Sequence, residues 1–113
     1  MKPILIIAPR FLKAISLVID IEAITLFPFI ISRTKMNPVL ERHEKIHIAQ
    51  QKELFVVFFY LIYGFDYLKG FIKYKSKTKA YFRIRMEQEA YTNQETEEYL
   101  KTRTRFKWLD YKV

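Results

Sequence analysis

The stretch His43-Glu44-Lys45-Ile46-His47 contains both histidines of the chain and sets them four residues apart around a glutamate. On an α-helix, positions i and i+4 lie on one face, so His43 and His47 can offer two ring nitrogens to one metal ion while Glu44 turns toward the same site. At ordinary residue frequencies an HExxH pattern arises by chance in a chain of this length on the order of a few times in a thousand. The alternative is a pair of surface histidines on an ordinary helix, and the flanking residues bear on the choice.

Upstream, Asn37-Pro38 supplies a cap and a first turn, and Val39 begins an uninterrupted run of helix formers. Leu40, His43, His47, Gln50 and Leu54 then recur at steps of three or four, which puts the histidines on a stripe that faces inward. After Glu53 the run Leu-Phe-Val-Val-Phe-Phe-Tyr-Leu-Ile-Tyr-Gly-Phe is apolar on every side, so it is buried all round or touches lipid or a partner. Nothing near Gln50 or Gln51 breaks the helix; the only glycines, Gly64 and Gly70, are where it can bend or end.

From Lys69 to Arg85 the cations Lys69, Lys73, Lys75, Lys77, Lys79, Arg83 and Arg85 interleave with Phe71, Tyr74, Tyr81 and Phe82, and no carboxylate intervenes. The segment is either a basic-aromatic patch for acidic lipid headgroups or nucleic acid, or a solvated connection. Glu87 to Glu98 reverses the sign and reads as one helix, unbroken by Gly or Pro. Lys101 to Val113 is basic again and carries Phe106, Trp108, Leu109 and Tyr111, which are expected to dock the tail on the domain, with a membrane-interface role as the alternative.

On the amino-terminal side, residues 4–7 read as a short strand, and Arg10 to Ile19 fits a helix or a strand equally well. Ala23 to Ser32 has strand composition, and Pro28 within it points to an edge strand because proline cannot donate to a ladder. An edge beside the motif helix is a place for an extended peptide to pair; the simpler reading is that the proline protects an exposed edge from aggregation.

A chain of 113 residues forms one domain, residues 1–113, too small for a separate substrate domain. Half of it is apolar and 17% aromatic, which excludes disorder and calls for a dense core, an oily surface or both. Pro9 and Arg10 end the first apolar run too early for a signal peptide. Ala14 to Ile31 and Leu54 to Phe65 both fall short of the roughly 20 apolar residues of a spanning helix. The expected place is the cytoplasm, peripheral to the inner face of a membrane. The net charge of +8 favours an anionic membrane surface or nucleic acid as partner, with no nucleic-acid recognition motif to make the second specific. Without cysteine, any metal is held by nitrogen and oxygen.

A hydrolytic zinc site takes three protein ligands and keeps one open position, so a carboxylate has to join the histidines. Glu53 follows His47 on the same helix and lies well along it from the metal. Glu87 is the better candidate, because Ala90, three residues on, puts a small side chain on the same face and lets its helix approach closely. Glu89 is the alternative; the two glutamates diverge by roughly 200 degrees on a helix and cannot both reach one ion.

His43-Glu44-Lys45-Ile46-His47 followed by Glu87-Gln88-Glu89-Ala90-Tyr91 resembles the gluzincin metallopeptidases, in which HExxH on an active-site helix is joined by ExxA on a downstream glutamate helix. In size the chain is most similar to the minigluzincins, single-domain relatives of the membrane-associated CAAX-processing zinc endopeptidases. The resemblance covers two short motifs and their order. It implies an α+β, helix-rich minimal zincin-like domain with a small N-terminal sheet, an active-site helix and a glutamate helix. It also implies Zn2+ bound by His43, His47 and Glu87, with Glu44 as general base in the hydrolysis of a peptide or protein substrate. Tyr91 stands where the family usually has aspartate, and a tyrosine or arginine has to stabilise the transition state because no third histidine exists. Two other readings compete: a non-catalytic zincin-like module that binds a membrane surface or a protein, and a nonspecific basic nucleic-acid binder.

Overall fold

A computed structural model describes residues 3–7, 23–32 and 35–113, so residues 10–19, open between helix and strand in the sequence, lie outside the described residues. Its strands are β1 (Ile4–Ile7), β2 (Ala23–Leu26) and β3 (Phe29–Ser32), in the spatial order β1-β3-β2. β1 runs parallel to β3 with Ile4 opposite Phe29, and β2 runs antiparallel with Ala23 opposite Ser32. The sequence predicts one strand over 23–32; the structure folds it into a hairpin. Phe27 and Pro28 form the turn, joined by a cis peptide bond, so the missing proline amide falls outside the β2–β3 ladder, while the Pro28 carbonyl accepts from the Ile4 amide of β1 at 2.7 Å. Among the described residues, β2, not a strand containing Pro28, is therefore an edge of the sheet.

Five helices follow: α1 (Pro38–Glu53), α2 (Val57–Tyr74), α3 (Lys77–Arg83), α4 (Arg85–Asn93) and the single turn α5 (Tyr99–Thr102), then a 3-10 turn at Lys107–Asp110. The architecture is α+β and helix-rich, as the sequence predicts. α1 starts where expected, with the Asn37 side chain accepting from the Leu40 amide at 2.8 Å and Pro38 in the first turn.

Its end differs from expectation. The chain leaves α1 at Leu54 and turns through 114° into α2, with Phe55 at φ 54° and Val56 at φ 63°. A β-branched residue in the left-handed region is costly, so tertiary contacts hold the bend in place of a glycine. Gln51, in the last turn of α1, accepts from the Phe27 amide at 2.7 Å and donates to the Thr25 carbonyl at 2.8 Å. Tyr60, in the first turn of α2, donates to the same carbonyl. Both helices are thereby fastened to the β2–β3 hairpin on either side of the bend. The two glycines, expected to bend or end the helix, lie inside α2; a Cβ on Gly70 would meet the Ala80 backbone at 3.1 Å, so this glycine serves the close crossing of α2 and α3.

Phe59, Ile84, Met86 and Trp108 form the centre of the helical core, so the carboxyl-terminal segment is docked as its aromatics predict, although Phe106 and Leu109 stay exposed. Asp66 of α2 is buried and receives Arg85 through Nε at 2.9 Å, a second guanidinium nitrogen at 3.0 Å and the backbone amide at 3.2 Å. This pins the first residue of α4 against α2. α4 ends at Asn93, short of the helix predicted to Glu98. The Asn93 side chain bonds the Glu89 carbonyl at 2.8 Å, and Glu95, Glu97 and Glu98 lie beyond as an exposed like-charge cluster that favours no further turn.

Candidate metal centre

His43 and His47 are both buried on the inner face of α1, with Gln50 completing the predicted stripe and Leu40 and Leu54 half-buried at its ends. Glu87 comes from the first turn of α4, two residues after the Asp66–Arg85 anchor, and is also buried. Ala90, the small residue that allows the approach, is fully buried. The three side chains meet tip to tip. His43 Nε2 lies 3.0 Å and His47 Nε2 3.1 Å from Glu87 Oε1, and the two ring nitrogens are 3.2 Å apart. For metal bonds of about 2.0–2.1 Å at tetrahedral angles, ligand atoms stand roughly 3.3 Å from one another. The triangle is therefore the size of one face of a zinc tetrahedron, and the His43, His47 and Glu87 group can hold a metal ion.

The hydrogen bonds behind the triangle fix which atoms point into it. His47 Nδ1 is 2.7 Å from Gln50 Oε1, and His43 Nδ1 is 2.9 Å from Gln94 Oε1. An amide oxygen only accepts, so both Nδ1 atoms carry hydrogen and, in the neutral rings, both Nε2 atoms present lone pairs. Tyr63 donates to Glu87 Oε2 at 2.6 Å, which turns Oε1 to the histidines. Three acceptors thus converge in a buried space, an arrangement that needs a cation between them. Burial by itself would lower the basicity of His47, but the Glu87 carboxylate, with help from Glu44, raises its pKa to about 9. Burial likewise pushes Glu87 upward, and the histidines outweigh it, holding the carboxyl well below the usual range. Without a metal, a proton on His47 plays the cation's part.

Glu89, the alternative ligand, points elsewhere. It is fully buried and bonded to Arg103 Nε at 2.6 Å, to the Tyr99 hydroxyl at 2.6 Å and to Gln50 Nε2 at 3.0 Å. Glu53 is held by the same Arg103 at 2.8 Å and by the Phe106 amide. Both carboxylates are spent on anchoring the carboxyl-terminal segment to α1 and α4. Glu44 is buried beside the triangle on α1, and its carboxylate accepts from the Thr25 hydroxyl of edge strand β2.

Tyr91 offers no carboxylate to His43. Its ring packs edge-on against His43, centroids 4.4 Å apart, and its hydroxyl lies 3.0 Å from that of Tyr81. The acceptor for His43 is Gln94 instead. Sequence reasoning missed Gln94, Tyr63 and Thr25; Gln94 could have been found as the i+7 neighbour of Glu87, whereas Tyr63 and Thr25 carry no local signal. No family model, curated protein or solved structure matches this chain, so the site stands on its own geometry.

Proposed function

We propose that this protein is a small zinc-dependent peptidase of gluzincin type. The observation that carries the reading is Glu44, a buried carboxylate on the same helix as two converging histidines, steadied by the Thr25 hydroxyl. Zinc is the metal proposed, because a site of two imidazoles and one carboxylate without thiolates matches hydrolytic zinc centres. Bound there, zinc supplies Lewis acidity that lowers the pKa of its water from 15.7 to about 7.

Glu44 then takes the proton of the attacking water and delivers it to the leaving amine. Among the described residues β2 is an edge strand, and away from the Thr25 carbonyl, which Gln51 and Tyr60 already occupy, it is the place where an extended peptide would pair by its main chain. Tyr81 and Tyr91 supply the candidate donors to the developing oxyanion. Burial and nearby carboxylates push the Tyr81 phenol far up, and burial raises Tyr91, so both stay protonated near neutral pH.

The test is Glu44→Gln in zinc-loaded protein against a quenched peptide library. Zinc content should stay at the wild-type level while cleavage falls by about 100-fold or more. Undiminished cleavage overturns the mechanism; zinc binding without cleavage in the wild type favours the non-catalytic module.

A further inference from the structure

The face of α2 turned away from the core carries Phe58, Leu61, Phe65, Leu68 and Ile72, at steps of three, four, three and four residues, and each is more than half exposed. At 100° per residue these five side chains fall within about 80° of one another, a continuous apolar stripe. Phe55, at the tip of the bend before α2, is 80% exposed and extends it. The opposite face of the same helix holds Phe59, Asp66 and Gly70, all buried, so the helix is already packed on one side and the stripe is surplus to the core. A row of this length is more than the scattered apolar residues of an ordinary surface.

The charges beside it are of one sign. Lys69 and Lys73 fall on one flank of the stripe, and Lys75, Lys77 and Lys79 follow at its carboxyl-terminal end, all exposed. Between Leu54 and Met86 the sole carboxylate is Asp66, buried and neutralised by Arg85. A second copy of this chain pairing through the same stripe would bring the same uncompensated lysines and no acidic partner for them. An anionic bilayer offers both complements, hydrocarbon for the stripe and negative headgroups for the flank, and lysine stems reach from one to the other.

We propose that α2 docks this protein on anionic lipid surfaces, with Phe58, Leu61, Phe65, Leu68 and Ile72 sunk into the headgroup boundary and Lys69 and Lys73 at the phosphates. The metal centre plays no part in this contact, so the proposal stands independently of catalysis. Flotation of the full chain with phosphatidylserine–phosphatidylcholine vesicles, against phosphatidylcholine alone, tests it. Wild-type protein should float with the anionic vesicles and lose that binding as salt rises. Lys69→Ala with Lys73→Ala should weaken binding on the order of tenfold. Phe65→Glu should abolish it, with an unchanged unfolding midpoint because the position is exposed. Failure of the wild type to float overturns the proposal, as does flotation of Phe65→Glu at the wild-type level. A concentration-dependent dimer that Phe65→Glu dissociates, without vesicle binding, overturns it in favour of self-association.

Discussion

Gln50 Oε1 sits 2.7 Å from His47 Nδ1, and the nitrogen of the same amide is committed to Glu89 Oε1 at 3.0 Å and the Met86 carbonyl at 3.1 Å. With two acceptors on its nitrogen, the amide has one orientation, and its oxygen must face the histidine. A relay from Arg103 through Glu89 and Gln50 thus sets the tautomer of a ring in the candidate metal centre.

Gln50→Leu keeps the volume of the side chain and removes the relay. Zinc affinity, read by competition with a chromophoric chelator, should fall about 10- to 100-fold. Wild-type affinity in this variant would show that the ring needs no such anchor.

Glu87 and Glu89 separate metal binding from stability. Glu87→Ala should abolish stoichiometric zinc. Glu89→Ala leaves Arg103 and Gln50 without their buried partner and should cost about 3–5 kcal/mol of folding stability, with zinc still bound to the folded fraction. Metal analysis beside urea unfolding reads both, and loss of zinc confined to Glu89→Ala would reassign the ligand.

The metal-free protein should lose stability with rising pH. His47 titrates near 9 in the fold against 6.5 unperturbed, so its contribution is fully present below 6.5 and disappears as pH rises through about 9. The full effect is at most about 3 kcal/mol. Glu87 has the opposite sign: its depressed pKa stabilises the fold above 4.5 and that stabilisation is lost as pH falls well below it. Urea midpoints in chelator should therefore decline from pH 6.5 to pH 9, and zinc affinity should climb over the same interval as the proton on His47 gives way. A flat midpoint across that interval would remove His47 as the titrating group.

The two glycines of α2 should respond in opposite directions. At Gly64 nothing lies within 4 Å of a new Cβ, so Gly64→Ala should stabilise by about 0.5–1 kcal/mol through helix propensity alone. At Gly70 the Cβ meets the Ala80 Cα at 3.1 Å and its carbonyl oxygen at 3.4 Å, backbone atoms that move only with α3. Overpacking of about 1–3 kcal/mol outweighs the propensity gain, so Gly70→Ala should lower the unfolding midpoint.

Local pattern made much of the site legible. The i, i+4 histidines, the Asn37-Pro38 helix start and the pairing of Glu87 with Ala90 are all written at helical spacing, and each appears in the structure where the spacing puts it. The bend at Phe55 and Val56 was not legible, because its cause is a set of contacts from Gln51 and Tyr60 to a hairpin some 25 to 35 residues upstream. The same holds for Pro28, whose role as a turn residue instead of an edge-strand residue depends on how β2 folds back on β3.

The candidate ligands are legible from helical periodicity, because it is a short-range property and both motifs lie within single helices. Which of Glu87, Glu89 and Glu53 faces the histidines depends on long-range packing. Asp66 fixes the start of α4 on α2, and Arg103 takes up the other two carboxylates, leaving Glu87 to face the histidines. That choice rests on buried ion pairs between residues distant in the chain, where the cost of an uncompensated charge dictates the partner and no local spacing records it.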